Sequence, residues 1–566
     1  MATTWALYAI GAVALAALVS WLPARWRLSR AKHRSLAGHS RISRRLAALV
    51  PFYSYGEQEF FASDGAPAEI AATRRAALER LARDYREHHP RALALGERLE
   101  SGVSDVAFTN AYRVPFQYRD YLRERLKIAS LVEESADVRL KDYDGNWSYD
   151  LSGSYGVNLF GYDFYKECID AGAARVRALG PVLGPYHPII EENVRRIREI
   201  SKLDEVSFHM SGTEAVMQAA RLAQYHTRRP NVVLFCGAYH GWWDGVQPGV
   251  GNPRRVTDVY TLADMSERSL AVLRTRHDIA CVLVNPLQAL HPNSSAPGDS
   301  ALIDSSRSAR FDRAAYSEWL AKLRTICTQR DIALIFDEVF LGFRLARGGA
   351  QEYFGVRADL VTYGKTLGGG LPVGVLCGTH RFMKRFRDDR PSDVCIARGT
   401  FNSHPYVLGA MNEFLRRLDT AEIAATYASL DERWNGRAAA LNARLHVADV
   451  PVRVANLASV WTILYRQPSR YNWMFQFYLR AEGLTLSWVG TGRLIFSHNY
   501  SDADFAAVAD RFVRAAKTMH ADGWWWSAPA LTNKAIRQRI LRELLRARFG
   551  RRAEAEVPTA LVNPRA

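Results

Sequence analysis

The 566-residue chain is poor in cysteine, and its six cysteines (Cys168, Cys236, Cys281, Cys327, Cys377 and Cys395) form no CxxC pair and no short Cys/His cluster. That spacing speaks against a zinc site and a disulfide framework, and it fits a reducing compartment. Acidic residues are missing where basic ones gather: positions 25–45 hold Arg25, Arg27, Arg30, Lys32, Arg34, Arg41, Arg44 and Arg45 and no carboxylate. The stretch from 534 to 566 adds a basic excess of about six, so the ends account for most of the net charge of +17 and the body is nearly neutral. Basicity confined to the ends is not that of a nucleic-acid-binding body, and no nucleic-acid partner is expected. No internal repeat is visible either. With 48% hydrophobic residues the chain has the core and the length for two structural domains plus appendages.

Charge is absent altogether from Met1 to Ala24, where Trp5 and Trp21 bracket an Ala/Leu/Val/Ile run. Its length suits a bilayer crossing, and the positive cluster follows the run instead of preceding it. Together these predict an uncleaved single-pass transmembrane helix over 1–24, with the membrane-anchored body in the cytoplasm. At the other end Trp524, Trp525 and Trp526 precede an Arg-rich helix. This predicts an amphipathic tail over 522–566 lying on a membrane surface or on a partner protein.

What lies between is more regular. Residues 25–136 read as a basic flank and helical connector with no chemical motif, helix-like above all at 68–89. Asp144-Gly145 marks a tight hairpin between short strands. From 137 to 400, short apolar runs at 206–210, 232–235, 279–284, 332–336, 360–363 and 373–377 alternate with longer helical stretches, the pattern of an α/β domain with a mainly parallel sheet. Residues 401–521 read as a smaller α+β domain.

In such a sheet, ligands sit beyond the C-terminal ends of the strands. Four polar clusters occupy that position. Ser211-Gly212-Thr213 opens a helix, where backbone N–H groups and hydroxyls converge as a phosphate requires, although Ser or Thr is also an ordinary helix cap. Gly237-Ala238-Tyr239-His240-Gly241 holds an aromatic ring between glycines. Asp337-Glu338-Val339 puts two carboxylates at the end of an apolar strand, which is costly unless something cationic faces them. Gly364-Lys365-Thr366-Leu367-Gly368-Gly369-Gly370-Leu371-Pro372 places a lysine in a glycine-rich turn.

The order and spacing of these clusters, with Gly342-Phe343-Arg344 and the run from Gly348 to Val356 between them, resemble the class III aminotransferases of the fold-type I pyridoxal-phosphate enzymes. The resemblance spans about 138–519 and is strongest to glutamate-1-semialdehyde 2,1-aminomutase and the aminotransferase domains of polyketide and peptide assembly lines. It implies a large domain with a seven-stranded-type sheet, pyridoxal 5'-phosphate as cofactor, and a homodimer with shared active sites. Lys365 would carry the cofactor and shuttle a proton. Asp337 would keep the ring nitrogen protonated, with Glu338 behind it. Tyr239 would stack on one ring face and Val339 on the other, with His240 beside them. Ser211, Gly212 and Thr213 would hold the phosphate, joined by Thr400 of Arg398-Gly399-Thr400-Phe401 from the neighbouring subunit. No metal is implied.

Two departures stand out. Asn285-Pro286 replaces the family's Glu-Pro, and His404-Pro405 replaces Asn-Pro. Neither touches the cofactor motifs, but both leave the substrate open, and no arginine, Arg344 included, is assigned to a substrate carboxylate. The resulting expectation is transfer of an amino group from an amine donor to a carbonyl acceptor, the alternative being an aminomutase that moves the group within one molecule. The anchor adds a further expectation: a small-molecule or acyl-chain carbonyl substrate, lipophilic or carrier-bound, met at the membrane in a biosynthetic pathway.

Overall fold

The computed structural model describes residues 2–32, 39–254, 256–290, 309, 311–487 and 492–549. Its centre is a seven-stranded sheet of β1 (Glu205–His209), β2 (Asn231–Phe235), β3 (Val259–Leu262), β4 (Ile279–Val284), β5 (Ala333–Asp337), β6 (Leu360–Gly364) and β7 (Gly374–Gly378), in the order β1-β7-β6-β5-β4-β2-β3. All neighbouring pairs are parallel except those of β7, which runs antiparallel to both β1 and β6. Strands β4 and β5 are buried at every position, as strands covered by helices on both faces must be, which explains their unbroken apolar sequences. Because β1, β2, β4, β5 and β6 point the same way, the loops after them meet along one edge.

The smaller domain is a three-stranded antiparallel sheet (Val452–Leu457, Val460–Tyr465 and Arg493–Ile495) covered by the helices Leu430–Val447 and Asp502–Ala521. Ser501 and Asp504 close a capping box at the start of the second helix. The hairpin foreseen at Asp144-Gly145 forms between Arg139–Asp142 and Trp147–Asp150, with Gly145 at φ 92°. Both oxygens of Asp144 accept backbone N–H bonds, each 2.8 Å long, from Arg91 and Ala92 at the start of the helix Pro90–Glu100. The connector is thereby fastened to the large domain.

One membrane expectation is overturned by the fold, and the other finds no support in it. Among the described residues no helix is long and apolar enough to cross a membrane. The apolar run at 1–24 does not stand apart as a separate segment. It belongs to one helix, Ala2–Ala31, that continues through Pro23 into the basic flank, with the Arg25 and Arg30 guanidinium groups lying over Trp21 and Trp26. Its last turn is fixed to the body, where Ala263 N donates to Ala31 O at 3.0 Å and Lys32 bridges Leu262.

The indoles expected at a lipid surface are turned inward as well. Trp524 and Trp525 are fully buried, Trp524 donating to Tyr478 Oη (2.7 Å) and Trp525 to Asn472 Oδ1 (2.9 Å). Packed beside them is Arg74, itself fully buried, which pairs with Asp64 at 2.7 Å and donates to the carbonyls of Gly523 and Phe61. The Arg-rich helix Asn533–Phe549 is docked too: Glu543 accepts from Arg470 (2.7 Å), Tyr55 (2.6 Å) and Tyr53 (3.1 Å), and Arg539 donates to Ser63 O. Connector and tail therefore form one appended layer against the smaller domain. The tail beyond 549 lies outside the described residues.

Candidate active site

At the end of β1, Ser211 caps the helix Gly212–Thr227 by accepting from Glu214 N at 3.3 Å, which leaves the first N–H groups of a sixteen-residue helix facing the sheet edge. The backbone at this point is packed too closely for side chains. A Cβ on Gly374 of β7 would lie 1.9 Å from Ser211 O, and one on Gly212 would lie 2.5 Å from Val339 Cγ1. The loop after β2 closes over the same point, since a Cβ on Gly241, at φ +90°, would lie 2.6 Å from Thr213 Oγ1. Ser211, Gly212, Thr213 and Val339 are thus brought together as expected.

Asp337 ends β5 in a buried position. Its Oδ2 accepts from His240 Nδ1 at 2.7 Å, and its Oδ1 accepts from Val339 N (3.2 Å) and Thr362 Oγ1 (3.3 Å). Three donors hold the carboxylate in one orientation. Glu338 points the other way: it accepts from Ala350 N and Gln351 N, and burial pushes it up to about 8. The adjacent carboxylates therefore divide their tasks, Asp337 facing the sheet edge and Glu338 holding the segment at Gly349.

Lys365 follows β6 at φ 48°, a left-handed conformation that is strained for any residue but glycine. Its ammonium lies 4.6 Å from the centre of the Phe340 ring. Burial lowers its pKa to about 8; Asp337 pulls the other way, while Arg344 and Arg493 push with burial. The neighbouring turn is strained too, with Ser154 and Tyr155 both left-handed, and Gly156 faces Phe340 and the Lys365 side chain. Tyr239 is 61% exposed, yet close enough to Asp337 for that charge to help burial raise its phenol.

Several participants escaped the sequence reading. Phe340 and Arg493 carried no motif, and the charge of Arg493 is felt by the lysine from the smaller domain, more than a hundred residues along the chain. Arg344 was left open; it is buried, and its two Nη groups donate to Ser459 Oγ (2.8 Å), Phe496 O (2.7 Å) and Asn158 O (3.3 Å), so it ties the two domains together. The departure at Asn285 also acquires a reason. Its amide donates to Tyr239 O at 3.3 Å, which a carboxylate could not do, and Gln288 similarly donates to Cys236 O at 2.8 Å. Thr400 sits on an exposed turn, and no hydrogen bond among the described residues joins it to the cradle of its own chain. Ile396 and Phe401 around it are exposed as well.

The cluster suits a planar, phosphorylated ring with a basic nitrogen: an N–H cradle for the phosphate, an oriented carboxylate for the nitrogen, a valine and a tyrosine at the ring faces, and an amine of lowered basicity for an aldehyde. Comparisons with known proteins agree. The family described as aminotransferase class-III matches residues 121–516. Glutamate-1-semialdehyde 2,1-aminomutase of Methanocaldococcus jannaschii is 32% identical over 371 residues, 60% of this chain and 78% of that protein. The same-named protein of Methanothermobacter thermautotrophicus is 33% identical over 341 residues, 58% of this chain and 74% of that protein. Among solved structures, an ω-transaminase from Sphaerobacter thermophilus superposes with a TM-score of 0.63 at 23% identity, covering 77% of this chain and 99% of that one. A transaminase with pyridoxal phosphate bound gives 0.57 at 25%, covering 70% and 92%. The chain therefore belongs to the class III aminotransferase family, enzymes that use pyridoxal phosphate as their cofactor.

Proposed function

We propose that this protein transfers an amino group from an amine donor to a carbonyl acceptor, with Lys365 carrying the cofactor and then moving the proton. The observation that carries the reading is the meeting of Lys365, the buried Asp337 and the Ser211–Thr213 backbone in one corner of the sheet edge. Bound there, pyridoxal phosphate would supply an electron-accepting ring. The protein's own part is to hold it: Ser211, Gly212 and Thr213 at the phosphate, Asp337 at the ring nitrogen with His240 orienting it, and Val339 and Tyr239 at the ring faces. Arg493, near Lys365, suits an acidic donor such as an amino acid. Thr400 reaches a phosphate only in a homodimer, a reading supported by the exposed Ile396, Phe401 and Trp242, the last 73% exposed. The six cysteines, all free and buried, support a reducing, cytoplasmic setting.

A second reading, transfer within one molecule, is favoured by the aminomutase names of the relatives at 32% and 33% identity. The lipophilic acyl substrate, by contrast, rested on the membrane anchor and loses its premise. The two remaining readings separate on one measurement. Holoprotein incubated with single amino acids or amines, with no acceptor, should show a shift of the cofactor's visible absorbance and stoichiometric release of a carbonyl product. An aminomutase would return the carbon skeleton as an isomer with no net release, and silence with every donor would sink the transferase reading.

The lysine itself makes a pH-dependent prediction. Capture of pyridoxal phosphate by the cofactor-free protein requires the neutral amine, whose fraction rises as pH passes the folded-state pKa. The capture rate, followed by absorbance after rapid mixing, should therefore climb with a midpoint of about 8 and level off above it. A climb continuing past the ordinary lysine range would show that the amine is not desolvated.

A further inference from the structure

A second cavity lies away from the cofactor motifs, against the appended layer. Its volume is about 1080 Å³, and its walls come from the connector, including Tyr53, Gly96, Arg113 and Lys127, together with Phe477 of the smaller domain. The part of the connector before residue 121 falls outside the span matched by the family.

The charges on the wall are balanced except at one place. Arg123 pairs with Glu100 at 2.8 Å, Lys127 with Glu97, and Arg119 with Asp120 at 3.6 Å. Arg113, in the turn between the helices Ser104–Tyr112 and Phe116–Arg125, is only 7% exposed, and its Nε and Nη1 are buried without a hydrogen-bond partner. The charged group beside it is another guanidinium, that of Arg480, and burial together with that neighbour pushes Arg113 down to about 9. Among the described residues Arg480 donates to the carbonyls of Leu486 (3.0 Å) and Ser487 (2.9 Å), and its Nε has no partner there. Two phenols lie near both, Tyr85 and Tyr155, and Tyr85 is already engaged with Phe477 O at 3.1 Å.

Two neighbouring guanidinium groups with no carboxylate, one of them enclosed, are unfavourable as a purely internal arrangement, because a buried charge without a partner costs more than the apolar side chain that could replace it. An anion reverses that balance. The planar fork of an arginine matches the paired oxygens of a carboxylate or phosphate, and the cavity has the size of a small-molecule site. We propose that this cavity binds a small anionic molecule, held through its carboxylate or phosphate by Arg113, the enclosed arginine of its wall. The proposal is independent of the direction of amino transfer.

The test uses the holoprotein, in which the cofactor already occupies the phosphate cradle. Its thermal midpoint is measured in chloride, in inorganic phosphate and in succinate at equal ionic strength. At least one of the last two should raise the midpoint by about 3 °C or more near saturation, phosphate alone marking a phosphorylated ligand and succinate alone a carboxylate. In Arg113→Gln the affinity for that anion should fall at least about tenfold. In chloride this variant should melt no lower than the wild type, because the lost charge had no partner; Arg113→Lys, which keeps the charge without the fork, should fall between the two in affinity. The proposal is overturned if neither anion stabilises the wild type, if Arg113→Gln responds as the wild type does, or if it melts well below the wild type in chloride, which would make the arginine a structural strut.

Discussion

Lys365→Ala is expected to lower turnover by about 10⁴-fold or more while leaving the fold and part of the cofactor binding in place. The loss is large because the proposed function puts two tasks on one nitrogen: covalent attachment and proton movement. Removing the side chain costs little elsewhere. Among the described residues no carboxylate is bonded to the ammonium, which lies 4.6 Å from the centre of the Phe340 ring, and alanine relieves a buried charge. The proposed phosphate cradle, the backbone N–H groups at the helix start with the Ser211 and Thr213 side chains, does not depend on the lysine. The measurement is kcat with reductive trapping by borohydride, which should fix the cofactor to the wild-type chain at Lys365 and to the variant nowhere. An adduct mapped to another lysine, or turnover within tenfold of wild type, would remove Lys365 from the mechanism. Mixing Lys365→Ala chains with Thr400→Ala chains extends the test: if Thr400 serves the neighbouring subunit, one site per mixed dimer regains both residues and activity returns.

Asp337→Asn is expected to cost about 10² to 10³ in kcat, since a fixed charge aimed at the reacting system is lost while the shape remains. The geometry makes the substitution informative about more than charge. The aspartate accepts from three donors, His240 Nδ1, Val339 N and Thr362 Oγ1. An amide has one acceptor oxygen, so one side of the group would set its NH2 against donors, and about 1 kcal/mol of stability should go with the activity. His240→Ala, which frees the carboxylate without neutralising it, should give a smaller loss. Spectra, kcat and thermal midpoint measured together separate these effects. If Asp337→Asn keeps near-normal turnover, a group other than the aspartate must hold the proton on the ring nitrogen.

Much of this site was legible in the sequence because its parts are local. A strand end followed by Ser211-Gly212-Thr213, or by Asp337 and Val339, places its polar groups within a few residues of the element that aims them, and the glycines record contacts that admit no side chain. The run at 279–284 coincides with β4, because a central strand buried on both faces announces itself by continuous apolar residues. Edge strand β3 was missed for the opposite reason: it is four residues long, half-buried at its start, and pairs on one side with β2 and otherwise only through the Lys32 bridge. Nor could the antiparallel direction of β7 be read, since a glycine-rich loop can return a chain either way.

Composition alone misled at the two ends. Trp524, Trp525 and a run of arginines carry the same letters whether they meet lipid or protein, and only the fold supplies Tyr478, Asn472 and Glu543 as their partners. The sequence by itself determined the α/β fold of the central body and the order of the loops at its sheet edge, and it singled out Lys365 and Asp337 as candidates, because each depends on neighbours within one strand and its loop. Tertiary structure decided what joins distant segments: Arg344 as a strut between domains, Arg493 within reach of the charge on Lys365, Asn285 under Tyr239, and Arg113 in the wall of the second cavity. Hydrogen bonds and charge act through space, and a pairing between residues hundreds of positions apart leaves no period, spacing or composition from which it could be read.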